Sequence, residues 1–251
     1  MKFGLVLGGG AARGAFHLGF LHFLEEQKFN IDTYSGSSIG AIIAVSHASG
    51  ISAKEQLKIF SSKDIKNTLK FNYFKNGLIK IDSNNPILNE LLPIAKLEDL
   101  PKKVFINTYD TKKRQLHYYD KGDSHVLCMA SSALIPVFKP IKYEHMNLID
   151  GGLFDNLPIK PLLDGEHKIC TVDLLPRRVQ VTKKRNFNPI KKLKKKIFAQ
   201  WIDNVNFSIL HSDLYITHQN LLNFKMFTFK ELNECFDFGY KQAQKQFSFI
   251  K

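Results

Sequence analysis

The sequence predicts a single α/β domain around a mainly parallel sheet, on three observations. The chain has 251 residues, 44% of them apolar, enough for one large core rather than two small ones. Its first two apolar strand candidates, Phe3 to Leu7 and Ile31 to Gly36, each run through a loop of small residues into a helix-like segment. Strand-helix-strand order favours parallel neighbours, whose following loops emerge together at the carboxyl edge of the sheet.

The elements follow in order. Phe3-Gly4-Leu5-Val6-Leu7 is a continuous apolar run of the buried-strand kind, ending in Gly8-Gly9-Gly10-Ala11-Ala12-Arg13-Gly14. From Ala15 to Leu24 apolar residues lie almost all round, so this helix is expected to be buried against the sheet, with His17 and His22 as packing or capping residues. Ile31 to Gly36 is the second strand, and the small-residue helix Ile39 to Ala48 ends near Gly50, a C-cap. Ser52 to Leu100 has mostly helical patterning, with pieces at Ala53 to Phe60, Asn67 to Phe74 and Pro86 to Ile94. This stretch is expected to cover the site.

Lys103 to Thr108 and Arg114 to Tyr119 predict a hairpin across the polar turn Asp110 to Lys113. A small-residue segment, Cys128 to Ala133, leads into Leu134-Ile135-Pro136-Val137-Phe138-Lys139-Pro140, where the prolines end the helix and keep the chain extended. His145 to Ile149 predicts a strand ending in Asp150-Gly151-Gly152; Asp155-Asn156-Leu157-Pro158 is a turn and Lys168 to Val172 a core strand. Beyond it, a long helix is expected from Lys192, a last strand at Asn223 to Phe229, and a closing helix at Phe236 to Phe249.

The net charge of +13 is unevenly spread, with ten basic residues and no acidic one between Arg177 and Lys196. Such a tract is a solvated loop, an anionic-membrane contact or a nucleic-acid contact; the expectation here is a basic loop at about 177–196 capable of reversible contact with anionic membrane. No nucleic-acid motif is present, and no nucleic-acid partner is expected. No apolar run reaches the roughly 20 residues of a spanning helix and no signal-peptide pattern opens the chain, so a cytoplasmic protein, peripheral at the inner face of the membrane, is expected. Cys128, Cys170 and Cys235 are widely spaced without a C-x-x-C pair, which predicts buried thiols rather than disulfides or zinc. No metal and no cofactor are expected.

Two residues stand out chemically. Ser38 is the centre of the G-x-S-x-G match Gly36-Ser37-Ser38-Ile39-Gly40, at the join of a strand and a helix. In a nucleophile elbow the serine occupies a strained turn, the glycines leave room for neighbouring backbone, and the amide of the next residue, Ile39, faces the serine oxygen. The alternative is a glycine-flanked N-cap serine. Asp150 ends an apolar strand and precedes two glycines, which suits a carboxylate set beside a nucleophile; the alternative is an Asx-turn. The loop Gly8 to Gly14 fits neither a dinucleotide fingerprint nor a P-loop, because Arg13 and Ala15 stand where those patterns need glycine and lysine. It leaves a row of side-chain-free amides at a helix N-terminus, which suits a developing oxyanion.

LGGGAARGAFHLG at Leu7 to Gly19, GSSIGA at Gly36 to Ala41, ASSALIPVFKP at Ala130 to Pro140 and IDGG at Ile149 to Gly152, in that order, resemble the patatin-like phospholipase family. The resemblance covers roughly the first 175 residues, and FDFGYKQA near the end is similar to the family's closing helix. It implies a three-layer α/β/α fold and hydrolysis of fatty-acyl esters of lipids or phospholipids by a serine-aspartate dyad, Ser38 as nucleophile and Asp150 as base. It further implies an oxyanion hole from Gly8, Gly9 and Gly10, joined by Ile39. Gly14, Gly36, Gly40, Gly151 and Gly152 would support the site, and Arg13 would anchor the glycine loop or meet a phosphate. Ala11 departs from relatives that carry a fourth glycine, which matters only if that position needs a positive φ. Two other readings stay open: a Ser-Asp-His triad using His167, His211 or His218, and a non-catalytic module binding an anion or nucleic acid.

Overall fold

The computed structural model describes residues 2–62, 86–176 and 201–248. The expected segment Asn67 to Phe74 and the basic tract at about 177–196 lie outside them.

One sheet organises the chain. Its strands are β1 (Lys2–Leu7), β2 (Asn30–Gly36), β3 (Lys103–Asp110), β4 (Gln115–Tyr119), β5 (Ile141–Tyr143), β6 (Met146–Asp150), β7 (Lys168–Val172) and β8 (Leu214–Ile216). The order across it is β5-β6-β3-β2-β1-β7-β8, with β4 paired to β3 outside that path. The pairs β1–β2, β1–β7, β2–β3 and β7–β8 are parallel; β3–β4, β3–β6 and β5–β6 are antiparallel.

Alternation along β1 divides the core, since successive side chains point to opposite faces. Phe3, Leu5 and Leu7 join Phe16, Phe20, Tyr34 and Ile43 under the main helical layer. Val6 points the other way, to Leu157, Ile159, Leu162 and Val205. The main layer contains α1 (Gly14–Glu26), α2 (Ile39–Ala48), α3 (Ala53–Ser61), α4 (Pro86–Leu91), α5 (Ser124–Ser131) and the closing helix. Helical residues 201–210, here α6, cover the second face through Trp201, Val205 and Phe207. The closing helix, α7 (Leu232–Phe247), lies directly on α1: a Cβ on Gly19 would strike the Phe236 carbonyl, and one on Gly239 the Phe16 carbonyl. Only glycine permits that approach.

Helix α4 stops at Leu91, short of the expected Ile94, because Leu92 precedes Pro93 and a residue before proline is driven from helical geometry. The expected strand at Asn223 to Phe229 does not form. Gln219–Asn223 is a 3-10 helix, and the carbonyls of Phe224 and Met226 accept from the Arg13 guanidinium and the Ala12 amide instead of from a neighbouring strand. The last strand is β8, three residues long and parallel to β7. The three cysteines are buried and free. Among the described residues no helix is long and apolar enough to cross a membrane.

Candidate active site

Strand register sets Ser38 and Asp150 side by side. Gly36, the last residue of β2, pairs with Ile106 of β3, so residues beyond Ile106 project past the carboxyl edge. Strand β6 runs antiparallel along that projection and ends with Asp150 opposite Thr108. Asp150 therefore meets the turn that follows Gly36. It is 6% exposed, its carboxylate accepts from the Gly152 amide at 2.7 Å, and the Ser38 side chain lies near enough to favour its charged form. Burial pushes its pKa up to about 7, and the Gly152 amide and the nearby Ser38 hydroxyl only partly oppose the rise.

Ser38 precedes α2 with φ 53° and ψ −124°, a strained backbone for a residue with a side chain. Its amide donates to Ser131 Oγ at 2.8 Å, and the Ser37 amide to the Leu7 carbonyl at 3.1 Å. Helix α2 sits so close to the end of β1 that a Cβ on Gly40 would collide with the Leu7 carbonyl, and one on Gly36 would press on Ala41. Gly14 lies against Ile39, and Gly151 against the Asn107 carboxamide.

The glycine loop can be followed peptide by peptide. The Gly8 amide donates to the Val172 carbonyl at 3.0 Å, and the Gly8 carbonyl accepts from His17 Nε2 at 2.8 Å. His17 is buried, which lowers its pKa to about 4 and keeps it neutral; a carbonyl partner fixes the proton on Nε2. The Gly9 amide donates to Asn156 Oδ1 at 3.1 Å, and Asn156 Nδ2 donates back to the Gly9 carbonyl at 3.3 Å. The Ala12 amide donates to the Met226 carbonyl at 2.9 Å and the Arg13 amide to the Gly10 carbonyl at 3.2 Å. Gly10 and Ala11 are left as the only residues from Gly8 to Arg13 whose amides have no partner among the described residues.

Of the loop residues expected to offer their amides, Gly8 and Gly9 have theirs tied into the framework, whereas that of Gly10, like that of Ala11, has no partner among the described residues. The Ile39 amide is also without a partner among the described residues. Ala11 has φ 51°, in the left-handed region that glycine tolerates better. Arg13 is an anchor: 7% exposed, it donates Nε to the Phe224 carbonyl at 2.9 Å and Nη1 to the Leu174 carbonyl at 3.2 Å.

The three triad histidines lie elsewhere. His167 sits beside Gly4 and Asp32 at the opposite, amino end of the sheet. His211 is hydrogen-bonded to the Phe207 carbonyl, and His218 caps the 3-10 helix and packs edge-on to Phe238. None hydrogen-bonds Ser38 or Asp150 among the described residues, where no group of three His, Cys, Asp or Glu could hold a metal ion either.

Sequence reasoning did not single out Ser131 or Asn156, and it read His17 only as a packing or capping residue, not as a partner of the Gly8 carbonyl. Ser131 lay inside the quoted block at Ala130 to Pro140, but a serine's type does not reveal that it accepts from an amide 93 positions away.

The fold and site together define an α/β protein with a serine at a strained strand-to-helix turn beside a buried aspartate. The patatin-like phospholipase model matches residues 5–163, and the chain belongs to that family. It is 30% identical over 183 residues to lysophospholipase NTE1 of Candida albicans and 28% identical over 178 residues to that of Scheffersomyces stipitis. Each alignment takes in 68% of this chain but only 13% and 12% of those relatives, so the chain spans about an eighth of their length. The crystal structure of VipD from Legionella pneumophila shares the fold, with a TM-score of 0.55 at 16% identity, covering 98% of this chain and 66% of that one.

Proposed function

We propose that this chain is a lipid acyl hydrolase that cleaves fatty-acyl ester bonds with Ser38 as nucleophile and Asp150 as its base. The observation that carries the reading is the register that sets the strained turn at Ser38 beside the buried Asp150 carboxylate, whose pKa burial raises to about 7. An ordinary aspartate near 3.9 is a poor base for a hydroxyl, whereas one raised toward neutrality is better matched and still ionised at slightly alkaline pH. Family membership and the likeness to proteins named lysophospholipases support an acyl ester of a lipid as the substrate.

In the first step Asp150 accepts the Ser38 proton as Oγ bonds to the acyl carbon, and the carbonyl oxygen takes the negative charge. The amides of Gly10, Ala11 and Ile39 would donate to that oxygen, a contribution of about 3 kcal/mol for a well-placed donor. The tetrahedral intermediate expels the alcohol, which takes up a proton from Asp150. Water, deprotonated by Asp150, then attacks the acyl-enzyme; the fatty acid leaves and Oγ recovers its proton. Reversible attraction of the basic tract at about 177–196 to anionic lipid would bring the site to its substrate; it predicts vesicle binding that weakens as salt rises.

The test is a fluorophosphonate ester probe followed by mass spectrometry, run beside turnover of a short acyl ester. A single adduct on Ser38, absent in Ser38→Ala, together with loss of turnover in Ser38→Ala and Asp150→Asn, is the expected result. Full turnover by folded Asp150→Asn protein rules the dyad out.

A further inference from the structure

The segment after Asp150 does more than turn the chain. Asn156 is 4% exposed and grips one peptide unit at both ends, accepting from the Gly9 amide and donating to the Gly9 carbonyl. That is the bonding a neighbouring strand would supply. It comes where β1 and β2 have just parted: their register ends at Leu7 and Gly36, and beyond it Asn156 holds Gly9. A Cβ on Gly9 would stand 2.7 Å from Asn156 Oδ1 and 3.1 Å from Ser38 Cβ, so the gripped residue lies directly against the nucleophile. A Cβ on Gly152 would stand 2.9 Å from Asn156 Oδ1 and 3.0 Å from Asp150 Oδ1. Those two oxygens are therefore within about 6 Å, a range over which one charge displaces another's ionisation.

We propose that Asn156 is a positioning residue that locks the glycine loop to the aspartate loop and so aims the unbonded Gly10 and Ala11 amides at the oxyanion formed on Ser38. The inference rests on the hydrolase reading above. A carboxamide suits the place for two reasons. It offers a donor and an acceptor on one planar group, which no hydroxyl does with the same reach. It is also neutral, so it adds no like charge beside Asp150. Upstream, the Gly8 amide on Val172 and the Gly8 carbonyl on His17 hold the other side of the loop. With Gly8 and Gly9 fixed before them and the Ala12 amide held by the Met226 carbonyl after them, the amides of Gly10 and Ala11 have little freedom left, which is what preorganised stabilisation of an oxyanion requires.

The experiment compares the full chain with Asn156→Ala and Asn156→Asp, measuring kcat and KM for a short acyl ester across pH and hydrogen exchange of the peptide containing Gly8 to Gly10. For Asn156→Ala the expected result is a fall in kcat of about 100-fold with KM within about threefold, because aim at the oxyanion is felt in the transition state more than in substrate binding. Exchange at Gly8 to Gly10 should accelerate while the rest of the sheet stays protected. Asn156→Asp keeps the acceptor for Gly9, loses the donor and adds a carboxylate beside Asp150. Its acid limb should move to higher pH by about one unit, and this variant decides the matter if the alanine protein does not fold. A folded Asn156→Ala protein with kcat within twofold of wild type, or an Asn156→Asp protein with an unmoved acid limb, overturns the role of Asn156 while leaving the hydrolase reading intact. A wild-type chain that takes no fluorophosphonate adduct and hydrolyses no ester removes that reading first, and the oxyanion role falls with it.

Discussion

Two polar clusters at opposite ends of the sheet use similar residues to different effect. At the amino end, Tyr34 Oη lies 2.6 Å from His47 Nδ1, and His47 Nε2 lies 2.9 Å from Glu25 Oε1. Glu25 also accepts from the Ala53 amide at 2.8 Å, and His22 lies 3.4 Å from Glu25 and 3.1 Å from Glu26, which accepts from Tyr240 at 2.6 Å. Burial works to raise Glu25, but hydrogen bonds from His47 and the Ala53 amide hold it below its usual range. At the carboxyl end, burial wins and Asp150 rises to about 7. The tyrosine-histidine-glutamate chain looks like a catalytic array, yet its donors and acceptors are directed at one another and it joins α1, α2, α3, α7 and β2. The site at Ser38 has the reverse character, with amides that have no partner among the described residues. A carboxylate held down by many donors cements a structure; one left high beside a hydroxyl and unbonded amides can do chemistry.

Asp155 sharpens the same lesson. It is 1% exposed, and burial pushes its pKa up to about 6, close to the value for Asp150. Its partner is the Tyr118 hydroxyl at 2.5 Å, a group whose own pKa is raised by burial and by Asp155. Perturbation alone therefore does not pick out the base; the atom facing the carboxylate does.

The contrast can be broken most forcefully at the two carboxylates. Asp150→Asn should lower kcat by about 1000-fold or more, the scale of losing one member of a catalytic unit, while Asp155→Asn should stay within about tenfold of wild type; ester turnover by both purified proteins checks this. A smaller effect is expected from pH. Since Asp150 must be ionised to accept the proton, kcat/KM should fall about tenfold per unit below about pH 7, read from a pH profile with a fixed ester.

The same shift bears on stability. A folded pKa above the unfolded one favours the protonated form, so this contribution is full below about pH 4 and is lost as pH rises through about 7. Asp150→Asn should accordingly raise Tm relative to wild type more at pH 8 than at pH 4, by thermal unfolding. At the amino end, His47→Ala leaves the Tyr34 hydroxyl without its partner and should destabilise the fold by about 2 kcal/mol in denaturant titration, with kcat unchanged. The smallest effect belongs to Ala11→Gly, which relieves the left-handed backbone and should add about 0.5–1 kcal/mol, measured by the same titration.

Much of this was legible in the residues. The run Phe3 to Leu7 has no polar side chain and Ile169 to Val172 only that of Thr171, because both faces of a central parallel strand are covered, and such runs are read without knowing their partners. Ser38 and Asp150 announce themselves through flanking glycines, which record local crowding. The short β8 carried no such signature, and the alternation in Asn223 to Phe229 misled because Phe224 and Met226 give their carbonyls to Arg13 and Ala12.

By itself, then, the sequence determined the parallel core, the serine turn and the aspartate that follows an apolar strand, since each depends on the period and size of residues adjacent in the chain. Only the tertiary structure decided which amides in the glycine loop remain unbonded. That depends on acceptors brought from 147 positions away at Asn156, and from Val172 and Met226, and a backbone N–H carries no mark in the sequence of where it will point.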